Sequence, residues 1–270
     1  MSDARQNYFL RPALTLWWRE MVRFFRQRDR VVGALATPIV FWLLLGFGLG
    51  RTFKTSAAPE GHGYLEYFYA GTLVMILLFT AIFSTISVIE DRREGFLQAV
   101  LVAPVGRFAI VLGKILGGTV LAFVQGLIFL AFAPLIGLSL SGESILWLFA
   151  VTFLLSFALT GLGFLIAWRM DSTQGFHAIM NLFLIPLWLL SGAVFPAAGT
   201  PAVLRWVMNC NPVSYGVAAV RQGLYWNAGL VGGGTTASRL MNLSVTAIFA
   251  FVMFGLSWAA AQRTTRGDLQ

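Results

Sequence analysis

Apolar residues in this chain come in long unbroken runs separated by short polar breaks. Six runs, residues 31–50, 67–89, 115–138, 145–168, 176–194 and 240–261, come close to or exceed the roughly 20 residues that a helix needs to cross a bilayer core. Barrel strands alternate apolar and polar positions over about 10 residues, and these runs do not alternate. The pattern predicts an all-α integral membrane protein, with six transmembrane helices in a domain spanning residues 31–262. An even number of crossings places both termini on one side.

Two stretches follow other rules. Drawn as a helix, residues 1–30 put Leu10, Leu14, Trp17, Trp18, Met21 and Phe25 on one face, and Arg11, Arg19, Arg23, Arg26 and Arg30 on the other. This predicts an amphipathic interface helix lying on the membrane surface, with its tryptophans at headgroup depth. The alternative is a lead-in to the first span whose arginines snorkel. Residues 195–226 are too broken for a span and too apolar for a free loop. Phe195 and Pro196 open the stretch, Pro201 and Pro212 interrupt it, and it carries Arg205 and Arg221. It predicts re-entrant extracellular helices that enter the outer leaflet and turn back, with the break at Asn211–Pro212 and Tyr215 starting the returning helix.

Composition agrees with the pattern: 58% of the 270 residues are hydrophobic and 11% are charged. The net charge of +8 does not point to nucleic acid, because the basic residues sit at the ends of apolar runs. Of the 19 Lys and Arg, fourteen fall on the side of the N-terminus, the break after the second run and the tail 263–270. That excess predicts cytoplasmic termini and an external loop at 52–66. The N-terminus lacks the apolar core of a signal peptide, and Cys210, the one cysteine, has no partner within the chain. No internal repeat and no separate soluble domain is visible.

The densest charge cluster, Glu90, Asp91, Arg92, Arg93 and Glu94, stands between the second and third runs. Glu90 and Asp91 suit a helix N-terminus, and Gly95 leads into Phe96, Leu97, Val100 and Leu101, which share a side. Pro104 ends the stretch. The segment 90–104 reads either as a solvated turn carrying topogenic charge or as a helix that docks a cytoplasmic partner. A simple turn needs neither the mixed charges nor the apolar side, which favours docking.

These residues carry a resemblance. The stretch "EDRREGFLQAVLVAPVGRFAIVLGK", the later "LSGAVFP" and "NPVSYGVAAVRQ" resemble, in order and separation, the motifs of type-2 ABC exporter permeases. The resemblance implies that the connector is a coupling helix seated in a cytoplasmic ATPase, with Trp17, Trp18, Arg19, Arg23 and Arg26 of the interface helix beside it. It implies that Phe195, Pro196, Asn211, Pro212, Tyr215 and Arg221 belong to an outer gate. It also implies two ATPase subunits, a second permease copy or paralogue, surrounding lipids, and a bacterial or archaeal inner membrane. Phe96 departs from the pattern, which commonly has a small or Thr-like residue there; the departure bears on which ATPase is accepted.

The chain lacks hydrolytic chemistry of its own. Gly113–Lys114 has Phe108 where a phosphate-binding loop needs its first glycine and Ile115 where it needs a hydroxyl, so ATP and Mg are expected on the partner and no cofactor on this chain. His62, His177 and Cys210 do not form a metal pattern, and no G-x-S-x-G motif is present. Gln125, Gln174, His177 and Asn181 lie within the spans, either lining a substrate path or joining helices by hydrogen bonds. Gly113 and Gly117 have the spacing for close helix packing, as do Gly46 and Gly50; Pro134 and Pro186 predict kinks. The expected function is the permease subunit of an ATP-driven exporter of a hydrophobic or amphipathic molecule: a drug-like compound, a lipid or a lipid-linked glycan. The rival readings are a membrane-embedded lipid-modifying enzyme, which needs an acidic or His cluster free of arginine, and a non-transporting scaffold, which leaves the re-entrant region unexplained.

Overall fold

The computed structural model describes residues 2–26, 28–49, 63–197, 200–226 and 237–263. Most of the expected external loop, His62, Gly50 and the tail from residue 264 lie outside the described residues.

Eleven helices make up the described chain: α1 (Ser2–Arg26), α2 (Arg28–Leu49), α3 (Tyr64–Ser84), α4 (Ile86–Arg93), α5 (Phe96–Val102), α6 (Arg107–Leu130), α7 (Gly142–Ala167), α8 (Thr173–Trp188), α9 (Ala202–Cys210), α10 (Pro212–Leu224) and α11 (Arg239–Gln262). Their starts follow local chemistry. Ser141, Ser172 and Ser238 accept a hydrogen bond from the backbone three residues on, at 3.2, 3.2 and 3.3 Å, and so open α7, α8 and α11.

α3, continued by α4, is the buried axis of the bundle. α2 runs antiparallel along it: Trp42 Nε1 donates to the Leu65 carbonyl at 2.9 Å, and the Trp42 ring meets Tyr69 edge-on. α6 also runs antiparallel, with the Tyr69 hydroxyl donating to the Phe129 carbonyl at one end and Lys114 meeting Asp91 at the other. α7 and α11 pair through Ser257, which donates to the Gly161 carbonyl at 2.9 Å. α10 packs on the first half of α7, where the Ser144 hydroxyl donates to the Gly223 carbonyl at 2.5 Å.

Among the described residues, five helical stretches, Tyr64–Arg93, Arg107–Ile136, Gly142–Ala167, Thr173–Ala193 and Arg239–Gln262, are long and apolar enough to cross a membrane. Val32–Gly48 within α2 is apolar but shorter. Large apolar side chains such as Leu146, Ile248 and Phe251 point outward, as lipid-facing positions must.

Hydropathy misplaced several helix ends. α6 starts at Arg107, ahead of the apolar run, because Gly106 rather than the first greasy residue opens it. Pro134 lies in a short 3₁₀ turn, Ala133–Ile136, that closes the stretch after α6 has ended at Leu130, so it does not kink α6. Pro186 sits inside α8, shortly before the chain widens into a π-type turn, Leu189–Ala193.

Candidate functional site

The connector is not one helix starting at Glu90. Glu90 to Arg93 form the last turn of α4, and α5 begins at Phe96. Gly95 makes the elbow between them with φ +74°, a backbone geometry that a side chain would strain. Glu90 and Asp91 therefore sit at a helix C-terminus, where the macrodipole disfavours acids. Neighbouring cations compensate. Arg19 grips Asp91 with both arms of its guanidinium at 2.8 and 2.7 Å, and Arg23 reaches Asp91 at 2.7 Å and Glu90 at 2.9 Å. Lys114 bonds Asp91 and, at 2.6 Å, Glu20. Asp91 is 0% exposed and Lys114 5%. The hydrogen bond to Asp91 raises the Arg19 pKa, so this cation keeps its charge.

These contacts reassign several connector residues. Asp91 is buried and unavailable to a partner. Arg92 turns inward and donates to the Trp168 and Met170 carbonyls at 2.6 and 3.1 Å, capping the end of α7. Leu97 is buried, and Phe96, Val100 and Leu101 are half-buried. The outward surface is formed by Arg93, Glu94, Ala99, Val102 and Pro104, with Val102 80% exposed. Beside it an apolar groove of about 840 Å³ runs between α1 and α5, lined by Pro12, Leu16, Phe96, Val100 and Pro104 among others.

α1 does not divide into one apolar and one basic face. Leu10, Leu14 and Trp18 point outward, whereas Leu16, Met21 and Phe24 are buried and Trp17 is half-buried. Arg19 and Arg23 turn to the carboxylates of α4, while Arg11 and Arg26 are exposed. The side chains of Phe25 and Arg30 lie outside the description. α1 approaches α6 closely because Gly113 and Gly117 leave room: a Cβ there would meet the Ala13 carbonyl oxygen and the Glu20 Cβ, each at 2.7 Å.

At the opposite end, the π-type turn after α8 frees backbone carbonyls, and side chains from α3 and α10 satisfy them. Asn211 Nδ2 donates to Leu187 O at 2.6 Å. The Tyr67 hydroxyl and Arg221 Nη2 each donate to Gly192 O at 3.1 Å, and the Tyr64 hydroxyl donates to Val194 O at 3.0 Å. Gly192 has φ +79°, a backbone geometry that a side chain would strain. Broken backbone at membrane depth needs such donors. Arg221 is 1% exposed, and its guanidinium lies 4.2 Å over the Tyr67 ring. Asn211 also caps α10 by accepting from Val213 N at 3.0 Å, with Pro212 at the first helical position. Tyr215, half-buried, donates to the Asn209 carbonyl at 3.0 Å. Phe195 and Pro196 lie half-buried beyond the turn.

The four polar residues of the spans separate. Gln125 is buried and accepts from the Thr80 hydroxyl, so it joins α6 to α3. Gln174, His177 and Asn181 are exposed along one stripe of α8, and the His177 ring stands 5.2 Å from that of Phe83. Sequence reasoning missed Glu20, Lys114, Tyr64 and Tyr67. Glu20, an acid among arginines, was the visible signal for the first pair; nothing local marked the tyrosines.

The sequence model of the ABC-2 type transporter family matches residues 12–225. The chain is similar to the ycf38 protein of Cyanophora paradoxa, named as a transport permease, at 26% identity over 82% of this chain and 76% of that one. It is similar to Nodulation protein J of Sinorhizobium fredii (strain NBRC 101917 / NGR234) at 27% identity over 86% of each. It is also similar to the daunorubicin resistance ABC transporter permease protein DrrB1 of Streptomyces coeruleorubidus, at 24% identity over 81% of this chain and 78% of that one.

Proposed function

The chain belongs to the ABC-2 type transporter family, whose members are the membrane permease subunits of ABC transporters, and from that premise we propose that it exports a hydrophobic or amphipathic cargo on energy from a separate ATPase. α5 is the helix that meets the ATPase. The observation carrying this reading is the outward face of α5 and the turn after it: at the end of a membrane bundle they offer Ala99, Val102 and Pro104 to the aqueous side beside an apolar groove. Exposed apolar side chains on a short, held helix are what a protein partner covers. The connector end is then cytoplasmic, α2 is the sixth crossing, and the α8–α10 turn is the outer closure.

The stripe of Gln174, His177 and Asn181 supports a second copy or paralogue. Polar side chains on an otherwise apolar span rarely face lipid, so α8 packs on its counterpart and the stripe borders the path between them. Phe83, whose ring stands 5.2 Å from that of His177, adds an aromatic wall to that path, which suits drug-like compounds, lipids or lipid-linked glycans. The relative named for daunorubicin resistance is in keeping with the first of these.

The test is purification of the full chain from its own membranes, followed by assay for co-purifying ATP hydrolysis. Leu97 is buried, so a charge there would damage the fold; Ala99→Asp and Val102→Asp place the charge on the exposed face. The native chain brings an ATPase with it, and the double variant retains at least about 10-fold less, the loss expected for an interface anchor. A native chain that arrives without any ATPase sinks the proposal.

A further inference from the structure

The elbow at Gly95 poses a mechanical problem. The helix that would receive force, α5, joins the rest of the bundle through a glycine in the left-handed region, with only seven residues of its own. The backbone alone leaves the angle between α4 and α5 soft. α1 and α5 diverge around the groove lined by Arg11, Thr15 and Leu16 on one side and Ala99, Val100 and Val105 on the other, so most of α5 gains no rigidity from α1.

One side chain bridges the elbow. The Arg19 fork holds Asp91, on the α4 side of Gly95, through two hydrogen bonds. The central carbon of the same guanidinium lies over the Phe96 ring, 3.7 Å from its centre, on the α5 side. Asp91 is anchored in turn by Arg23 and Lys114, so the Arg19 plane cannot turn without breaking the knot. A guanidinium can do both at once because its donors lie in its plane and its attraction for an aromatic ring acts perpendicular to it. A lysine ammonium has neither the fork nor the face.

We infer that Arg19 is a splint across the Gly95 elbow, and that Phe96 is a positioning residue setting the angle at which α5 is presented. Phe96 then acts inside the chain rather than by choosing the ATPase. The interface helix α1 is also drawn into the device, since it carries Arg19 and packs on α6 through Gly113 and Gly117. Displacement of α5 therefore passes to α1, α4 and α6 together. The link to ATP rests on the proposed docking of α5; the splint itself does not.

The test uses the full chain in lipid nanodiscs, with Cys210→Ser and spin labels at Val22 and Val102, both exposed. Pulsed electron resonance gives the distribution of distances across the elbow. The native ring and Phe96→Tyr, which keeps the aromatic face, give one narrow distribution. Phe96→Leu, apolar but without that face, and Arg19→Lys raise the population of a second, open component about two- to five-fold, as expected for losing a partly exposed cation–π contact. Rescue by Tyr but not by Leu separates positioning from plain packing. Equal distributions for Leu, Tyr and the native ring overturn the splint. The docking reading is judged separately, by ATPase co-purifying with the unlabelled native chain and lost from the Ala99→Asp, Val102→Asp double variant. A native chain without ATPase overturns docking, while the distributions of the chain alone still judge the splint.

Discussion

Replacing Asp91 by Asn keeps the volume and removes the charge at the centre of the ion-pair knot. Asn retains one acceptor oxygen, and its amide nitrogen turns two donors toward guanidinium and ammonium groups that are themselves only donors. Removing one partner from a buried charge pair costs about 3–5 kcal/mol. The lower end applies here. Arg19 and Arg23 keep 30% and 21% of their side-chain surface in contact with solvent, Lys114 still has Glu20 at 2.6 Å, and Arg23 still has Glu90 at 2.9 Å. About 3 kcal/mol, at roughly 2–4 °C per kcal/mol for a chain of this size, lowers the unfolding midpoint by about 6–12 °C. The measurement is thermal unfolding of the purified chain in detergent, all variants at one scan rate, because membrane proteins often unfold irreversibly. Exposed Arg93→Ala is the control and should change stability by less than about 0.5 kcal/mol. Lys114→Met leaves Asp91 to Arg19 and Arg23 but leaves buried Glu20 with only Arg19 at 3.5 Å, and should cost a similar amount, about 3 kcal/mol. The double variant should cost less than the sum of the two, by about 1–2 kcal/mol, because both remove the same contact. A shift for Asp91→Asn no larger than that for Arg93→Ala, or strict additivity with Lys114→Met, would refute the reasoning.

Two further predictions concern the packing on either side of the axis. Gly117→Leu drives a side chain into Glu20 and should push α1 off α6, costing at least about 1–3 kcal/mol and exposing α1 to added protease; an α1 as protected as in the native chain would contradict the close approach. Tyr67→Phe removes one of two donors to Gly192 O and should cost about 1 kcal/mol in the same unfolding assay, whereas Tyr215→Phe, at a half-buried site, should cost less; equal costs would count against the role of Tyr67 in holding the turn.

How much of this was legible in the sequence differs from element to element. The apolar runs located the long helices because a bilayer core demands a minimum length of greasy residues, a property of the chain alone. Asn211 and Pro212 marked the break before α10 for an equally local reason, since the residue before a proline disfavours helix; the helix itself opens at Pro212 and not, as expected, at Tyr215, because Asn211 caps it there. Gly95 was read as part of one helix, and it is the elbow that divides two. The connector was misread because the same charges suit a helix start or a helix end, depending on what stands opposite. Glu90 and Asp91 looked like a helix opening; Arg19, Arg23 and Lys114, distant in sequence, make them a helix ending.

The two faces of α1 failed for a related reason. Periodicity can sort residues by polarity but cannot tell lipid from protein on the apolar side, or water from a carboxylate on the polar side. Only the approach of α6 at Gly113 and Gly117 and of α4 at Asp91 decides which arginines are paired. Likewise the order of polar and apolar residues could not separate Gln125, bonded within the bundle, from Gln174, His177 and Asn181 on its surface. The class and the five long apolar stretches follow from transfer of the chain into lipid, residue by residue. Ion pairs, capped carbonyls and the splinted elbow are contacts between residues far apart along the chain, and packing decides them.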